Sequence, residues 1–253
     1  MSLLITAIKI IFLLGFLILI HESGHFLIAK ACKVKVNEFA IGFGPTIWKK
    51  QGKSTLYELR LIPLGGFVRL EGEEERSEEE GSFSKTSIPK RIAIVAAGGL
   101  TNILFGLLTF FILSVVFFTT AKPESDIFSQ ISYGFNNTVN YLGLVFQSLG
   151  QLFTGHINMD QLTGPIGISG LVAQTSGLFD FVNLLAVVSL SLGITNLLPI
   201  LPLDGGKIVI YIIEAIRRKP MKQNVEIWLQ SAGFAAMILL SIFVAYNDVV
   251  RIF

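Results

Sequence analysis

Apolar residues form four long runs separated by polar segments, at about residues 3–28, 91–119, 183–213 and 225–246. A run of about 20 apolar residues is long enough to cross the hydrocarbon core of a bilayer as a helix. The first, second and fourth runs contain no strong helix breaker. The pattern therefore predicts an α-helical polytopic membrane protein with four transmembrane helices.

The third run differs from the others because it contains helix breakers at membrane depth. Pro199 and Pro202 are followed by Asp204 and the pair Gly205-Gly206. Proline removes a backbone donor, and paired glycines weaken a helix. Irregular backbone at this depth is tolerated only where protein or a wet cavity surrounds it. We therefore expect a broken third helix that lies in the interior and serves function.

The polar segment after the first run carries short patterns typical of β-strands. Strands are predicted at Val34–Phe43, Leu56–Leu61 and Phe67–Leu70, around a turn at 41–45 and an apolar, glycine-rich tip at Leu64–Phe67. Two interpretations stay open. The segment is either a small surface hairpin or a hairpin that dips towards a membrane-embedded site and offers its edge to an extended peptide.

Composition and charge refine this picture. Only 15% of the residues are charged and 52% are hydrophobic, which is typical of a membrane protein, and a net charge of +2 argues against a nucleic-acid partner. Residues 30–91 hold 12 of the 20 Lys and Arg and residues 217–222 hold 4, whereas residues 120–182 contain only Lys122. Because cytosolic loops are rich in Lys and Arg, segments 30–90 and 214–224 are predicted to be cytosolic, with both termini outside.

The inner end of the first run carries the motif His21-Glu22-Ser23-Gly24-His25. Two histidines four residues apart face one side of a helix and can bind one zinc ion, and the glutamate beside them is placed to act as general base. The motif is usually found on a helix in a water-filled cleft. Here it follows an apolar run, so the sequence predicts hydrolytic chemistry inside a membrane.

A catalytic zinc site needs a third protein ligand, and Asp204 is the only aspartate within any of the apolar runs. His21 and Asp204 both lie roughly 27–32 Å from the outer edge if the chain rises ~1.5 Å per residue. One alternative is an Asp–His network between helices without metal. Another is a non-enzymatic metal-binding scaffold or metal transporter, although a transporter should spread ionisable residues along a path rather than cluster them at one depth.

At these residues the sequence resembles the site-2 protease family of intramembrane zinc metalloproteases, and most closely its bacterial RseP-like branch. The resemblance extends in order over nearly the whole chain. It is carried by the motifs His21–His25, Gly42–Pro45, Leu64–Phe67, Gly98-Gly99 with Asn102, Gly164–Gly167, Asn196–Pro199 and Leu203–Gly206.

The resemblance implies that His21, His25 and Asp204 bind zinc and that Glu22 is the catalytic base. It implies that Asn196 lies near the substrate as a second catalytic residue, and that the cytosolic hairpin is a membrane-reentrant loop. The substrate-binding residues expected on these grounds are Asn196 and three residues of the hairpin, namely Gly65, Gly66 and Phe67.

The same resemblance implies a function and a location. The expected substrates are single-span membrane proteins or peptides, such as an anti-sigma factor or remnant signal peptides, within the bilayer of a bacterial plasma membrane. RseP-like members usually carry a PDZ domain between the second and third spans, whereas here Ala121–Glu124 leads directly into an amphipathic helix predicted at 137–153. We therefore expect no PDZ domain.

The resulting domain organisation has three parts. Residues 1–119 contain the first two spans, the zinc-binding motif and the β-loop. Residues 120–182 form an extracytoplasmic amphipathic segment, and residues 183–253 contain the last two spans with the motif around Asp204.

The charge distribution makes the membrane topology testable. Ser77 lies in the predicted cytosolic loop and Ser125 in the predicted outer segment. In a Cys32→Ser background, a membrane-impermeant thiol reagent applied to intact cells should label Ser125→Cys and leave Ser77→Cys unlabelled until the cells are lysed. Labelling of Ser77→Cys alone on intact cells would show that the orientation in the membrane is the opposite of the predicted one.

Overall fold

The computed structural model describes residues 3–73, 75, 77–154 and 165–252, and most of them are helical. The order of elements along the chain is α1 (Leu3–Ala31), β1 (Val36–Gln51), β2 (Leu56–Leu70), α2 (Ile88–Ala121), α3 (Ile127–Thr154), α4 (Pro165–Gln174), α5 (Leu178–Asn196), α6 (Asp204–Arg217) and α7 (Gln223–Ile252).

Four of the described helices are long and apolar enough to cross a membrane. They are α1, α2, α5 and the part of α7 that ends at Asp248. The 29 residues of α1 extend about 44 Å at 1.5 Å per residue, which exceeds the ~30 Å hydrocarbon core. The prediction of a polytopic helical membrane protein with four candidate spans is confirmed.

The third apolar run contains two helices. α5 ends at Asn196 and α6 begins at Asp204, and residues 197–203 connect them. Leu203 precedes α6 in an extended conformation, with φ −68° and ψ 161°. The glycines at the start of α6 allow this connector to lie against it, because an ideal Cβ on Gly206 would lie only 2.7 Å from Leu201 N. Asp204 is therefore the first residue of a helix packed tightly on the connector.

The β-strands are longer than the sequence predicts. β1 runs through the predicted turn at 41–45 and β2 runs through Leu64–Phe67, and the hairpin connection is the polar segment 52–55, where Gly52 donates to the Thr55 carbonyl at 2.8 Å. Both turn predictions are wrong for one reason. Gly42, Gly44 and Gly65 have φ values of 89°, 83° and 110°, which bend a strand without ending it.

These bends give the sheet an unusual pairing. Ala40 is paired with both Phe67 and Glu58. The first part of β1 therefore lies between two stretches of β2, which we call its first arm, around Glu58, and its last arm, residues 66–70. The last arm of β2, residues 66–70, pairs only with β1 among the described residues. Its other edge has no strand neighbour there.

A buried charge cluster fixes that last arm. Glu38 of β1 is 7% exposed and accepts hydrogen bonds from Arg60 and Arg69, each at 2.7 Å. Both guanidinium groups also lie over the Phe67 ring, at 4.8 and 5.3 Å from its centroid. A buried carboxylate needs such partners, and here they hold the arm that carries Phe67 against β1.

The described residues form two compact units. Residues 2–102 and 192–237 make the first, whose core gathers apolar residues from α1, the sheet, the start of α2 and α6. It includes Ala29, Val36, Leu70, Ile94 and Ile210. All of the predicted zinc-binding and catalytic residues belong to this unit.

The second unit comprises the described parts of 103–191 and 238–252. Here α3 packs along α2, with Asn137 donating to Ser114 Oγ at 2.9 Å and with stacked rings at Phe118 and Tyr133. α3 begins at Ile127, earlier than the amphipathic helix predicted from Asn137. The described residues between α2 and α5 contain no strand, so they contain no PDZ fold, as expected.

Candidate active site

Three potential ligand atoms meet at one point of the first unit. His21 Nε2 and His25 Nε2, one turn apart on α1, are separated by 3.1 Å. Asp204 Oδ2, at the start of α6, lies 3.2 Å from His21 Nε2 and 3.4 Å from His25 Nε2. They form the one group of at least three potential ligands that the described residues bring together. The sequence-predicted set therefore converges in space.

The spacing of these three atoms fits a zinc ion. Zinc binds histidine nitrogen and carboxylate oxygen at about 2.0–2.2 Å in a tetrahedron, which places neighbouring ligand atoms about 3.3 Å apart. In addition, Asp204 Oδ2 is buried and receives no hydrogen bond from the described residues. A buried carboxylate oxygen that faces two nitrogen lone pairs is unfavourable unless a proton or a metal ion lies between them, and the spacing above fits a zinc ion.

A backbone contact directs His25 towards the same point. His25 Nδ1 lies 2.9 Å from the Ile94 carbonyl of α2. Because a carbonyl only accepts, Nδ1 must carry the ring proton, and Nε2 then presents its lone pair to Asp204 and His21. This is the tautomer that a metal ligand requires.

Asn102 of α2 occupies the corresponding place beside His21. It is fully buried, and its side-chain amide lies 3.4 Å from His21 Nδ1. The sequence analysis named Asn102 only as part of a motif shared with the family. An amide offers both a donor and an acceptor, so this group can accommodate a proton on either nitrogen of the ring.

Gly98 of α2 leaves the space in which the ligand atoms meet. An ideal Cβ on Gly98 would lie 2.7 Å from His21 Nε2 and closer still to His25 Nε2. This glycine of the Gly98-Gly99 motif therefore faces the histidine nitrogens.

Glu22 lies in a pocket of about 200 Å³ together with His21, His25 and Asp204. The last arm of β2 borders this pocket, since an ideal Cβ on Gly66 would lie 3.2 Å from Glu22 Cγ. The free edge described above therefore belongs to the arm that runs beside the predicted general base.

The remaining predicted residues are placed unevenly. Phe67 lines the pocket and Gly66 abuts Glu22, whereas Gly65 and Asn196 are not among the lining residues. Asn196 is the last residue of α5 and is partly exposed. The lining also contains residues that sequence reasoning did not assign to the site, among them Ile94, Glu73 and Lys207. Lys207 follows Asp204 by one helical turn, which the spacing alone could have revealed.

Comparison with known proteins gives a consistent result. The profile of a family described as peptidase family M50 matches residues 9–240. A putative zinc metalloprotease of Clostridium acetobutylicum is 27% identical over 321 aligned positions, which cover 93% of this chain and 95% of that protein. The regulator of sigma-W protease RasP of Bacillus subtilis is 23% identical over 417 positions, covering 98% of this chain and 99% of that protein.

A probable protease, eep, of Enterococcus faecalis is 25% identical over 422 positions, with 98% and 99% of the two chains covered. All three alignments are longer than the 253 residues of this chain. These relatives therefore contain segments that have no counterpart here.

The geometry predicts which substitutions remove the metal. Asp204→Asn replaces a charged oxygen ligand by a neutral amide, and His21→Ala removes a nitrogen ligand. We expect zinc affinity to fall by more than the roughly 10–100-fold that loss of an outer-shell partner costs. Metal analysis of the purified proteins after dialysis against a chelator measures this. Zinc retained in Asp204→Asn at the wild-type level would exclude Asp204 as a ligand.

Gly98→Ala tests the space beside the ligands. Alanine favours a helix over glycine by about 1 kcal/mol, so α2 should stay helical while the methyl group displaces both Nε2 atoms. We expect a loss of bound zinc with helical content retained, measured by metal analysis and circular dichroism. Gly143→Ala is the matched control, because its added Cβ would meet no atom within 4 Å. Equal zinc in both variants would refute this role of Gly98.

Proposed function

The chain belongs to peptidase family M50, and on that premise we propose that it hydrolyses peptide bonds within, or at the cytosolic edge of, the transmembrane segments of membrane proteins. It is a zinc metalloprotease of the site-2 protease type and a multi-pass membrane protein. The observation that carries the proposal is the convergence of His21, His25 and Asp204 at 3.1–3.4 Å, with Glu22 in the same pocket.

We assign zinc binding to His21, His25 and Asp204. Bound there, zinc supplies a Lewis acid that polarises the scissile carbonyl and makes water more acidic. Glu22 takes the proton from the attacking water and returns it to the departing amine. The contact between His25 Nδ1 and the Ile94 carbonyl supports this assignment, because it fixes the ring orientation before substrate arrives.

A helical substrate hides its scissile carbonyl in backbone hydrogen bonds and must unwind before attack. The last arm of β2 supports such a step, since it has a free edge and passes Glu22 at Gly66. An extended segment that pairs with this edge exchanges its helical hydrogen bonds for sheet hydrogen bonds. We assign substrate binding to Gly65, Gly66 and Phe67 of this arm. Asn196 is assigned to holding the substrate or the oxyanion, on the family resemblance.

The membrane placement completes the proposal. α5 and α6 act as the two halves of a broken third transmembrane helix, and the β-sheet enters the membrane from the cytosolic side. The clustered Lys and Arg of segments 30–91 and 217–222 support a cytosolic position for both. Both termini then lie outside the plasma membrane of a bacterium. The three-part division at 1–119, 120–182 and 183–253 stays a prediction.

The proposed substrates are single-span membrane proteins or remnant signal peptides. An anti-sigma factor is one candidate, which agrees with the name of the Bacillus subtilis relative as a regulator of sigma-W. A membrane-embedded metal site with a general base suits such substrates because the bond to be cleaved lies at the same depth.

Glu22→Gln tests the function directly. Glutamine keeps the shape of glutamate but cannot accept the proton, so cleavage of a model transmembrane substrate should fall by about 10²–10⁴-fold while zinc content is unchanged. Cleavage is measured in proteoliposomes by mass spectrometry of the products. Glu124→Gln, on an exposed site outside the pocket, is the matched control and should retain full activity.

Two results would contradict the proposal. Near wild-type cleavage by Glu22→Gln would remove Glu22 as the base. Stoichiometric zinc in the wild-type protein without cleavage of any transmembrane substrate would favour a metal-binding scaffold instead.

A further inference from the structure

A second, larger cavity adjoins the catalytic pocket within the same unit. It has a volume of about 980 Å³, compared with about 200 Å³ for the catalytic pocket. The two share four lining residues: Phe67, Val68, Glu73 and Lys207. The catalytic pocket is too small for more than the reacting residues of a peptide. The larger cavity is of the size that takes ligands of several residues.

The junction between the two cavities is polar. Lys207 Nζ donates to Glu73 Oε1 at 2.9 Å, and both side chains are partly exposed. A peptide that passes from the catalytic pocket into the cavity therefore meets a hydrogen-bond donor and an acceptor next to each other. An unwound backbone requires such partners, because each of its residues carries one donor and one acceptor.

The chemistry of the wall favours a peptide over a small anion. Two further ion pairs, Arg91 with Glu214 at 3.2 Å and Lys85 with Glu78 at 3.0 Å, lie in the wall, so charges of both signs line it. Apolar surface from Phe83, Tyr211 and Ile227 completes the lining. A site for a phosphate or another anion would concentrate one sign of charge, whereas mixed polar and apolar walls suit a peptide of varied sequence.

The position of the cavity identifies which part of a substrate it would receive. Its lining residues fall within two parts of the chain, 67–91 and 207–230, and include Lys85, Arg91, Arg218 and Lys219 of the basic clusters assigned to the cytosol. We propose that this cavity is a binding site for the polar segment of the substrate that adjoins the scissile bond on its cytosolic side. This inference rests on the proposed function. It makes cleavage depend on the cytosolic flank of the substrate as well as on its transmembrane helix.

The test compares two model substrates that share one transmembrane segment. The short substrate ends about two residues beyond the scissile bond on the cytosolic side, and the long one continues for about eight residues, or ~27 Å when extended. For the wild-type protein, kcat/KM for the long substrate should exceed that for the short one by roughly tenfold, the lower end of the effect of one well-filled subsite.

Ala215→Trp fills the cavity, because Ala215 lines it on an exposed face of α6. This variant should lose the tenfold advantage of the long substrate through a higher KM and leave cleavage of the short substrate unchanged. Ile227→Trp, which fills the cavity from α7, should act in the same way. The matched control is Ile216→Trp, since Ile216 is the next residue on α6 but does not line the cavity.

A binding measurement separates this inference from the proposed function. The uncleaved long substrate should bind Glu22→Gln protein about tenfold more tightly than the short one, and Ala215→Trp added to that protein should abolish the difference. Equal affinity for both substrates, or an equal effect of Ala215→Trp on both, would overturn the flank site, that is, the proposed binding of the substrate's cytosolic segment in the larger cavity, even if cleavage occurs. Cleavage of neither substrate by zinc-loaded wild-type protein would overturn the proposed function, and with it the flank site.

Discussion

The meeting of three potential ligand atoms within 3.4 Å of one another is the constraint on which the rest of this structure depends. Two imidazoles and a carboxylate packed together in a largely buried site need a proton or a cation between them, and the backbones around them must come close enough to bring them together. Gly24 provides one approach, because a Cβ there would collide with Ala97 of α2. Gly205 and Gly206 provide another, where α6 packs on its connector. These glycines therefore allow the helices to approach closely enough for the three potential ligand atoms to meet.

In the sheet, the last arm of β2 lies beside the pocket and has no second strand neighbour among the described residues. Electrostatic contacts of its side chains hold it in place. Glu38 accepts from both Arg60 and Arg69, and both guanidinium groups lie over the Phe67 ring. The last arm of β2 is therefore held by its side chains, while no further strand of the described residues pairs with its backbone.

The sequence predicted the parts of this protein that follow from local pattern. The spacing of the histidines predicted that both lie on one face of a helix. The lone aspartate of the apolar runs predicted the third potential ligand, and hydropathy predicted the four candidate spans. It failed where glycine conformation decides the outcome, since a Gly65 with positive φ bends a strand in the structure but reads as a turn in a sequence. It also missed contacts between distant positions. Nothing in the periodicity around Ile94 indicates that its carbonyl accepts from His25.

The proposed zinc ligands are far apart in the sequence, with His21 and His25 on α1 and Asp204 at the start of α6. This separation has a consequence for the synthesis of the protein on the ribosome. A ribosome makes the histidines almost at once but reaches Asp204 only when most of the chain has already been synthesised. Until then the nascent polypeptide lacks the third residue of the proposed zinc site. That site can therefore form only after α1, the β-sheet, α2 and α5 have been synthesised.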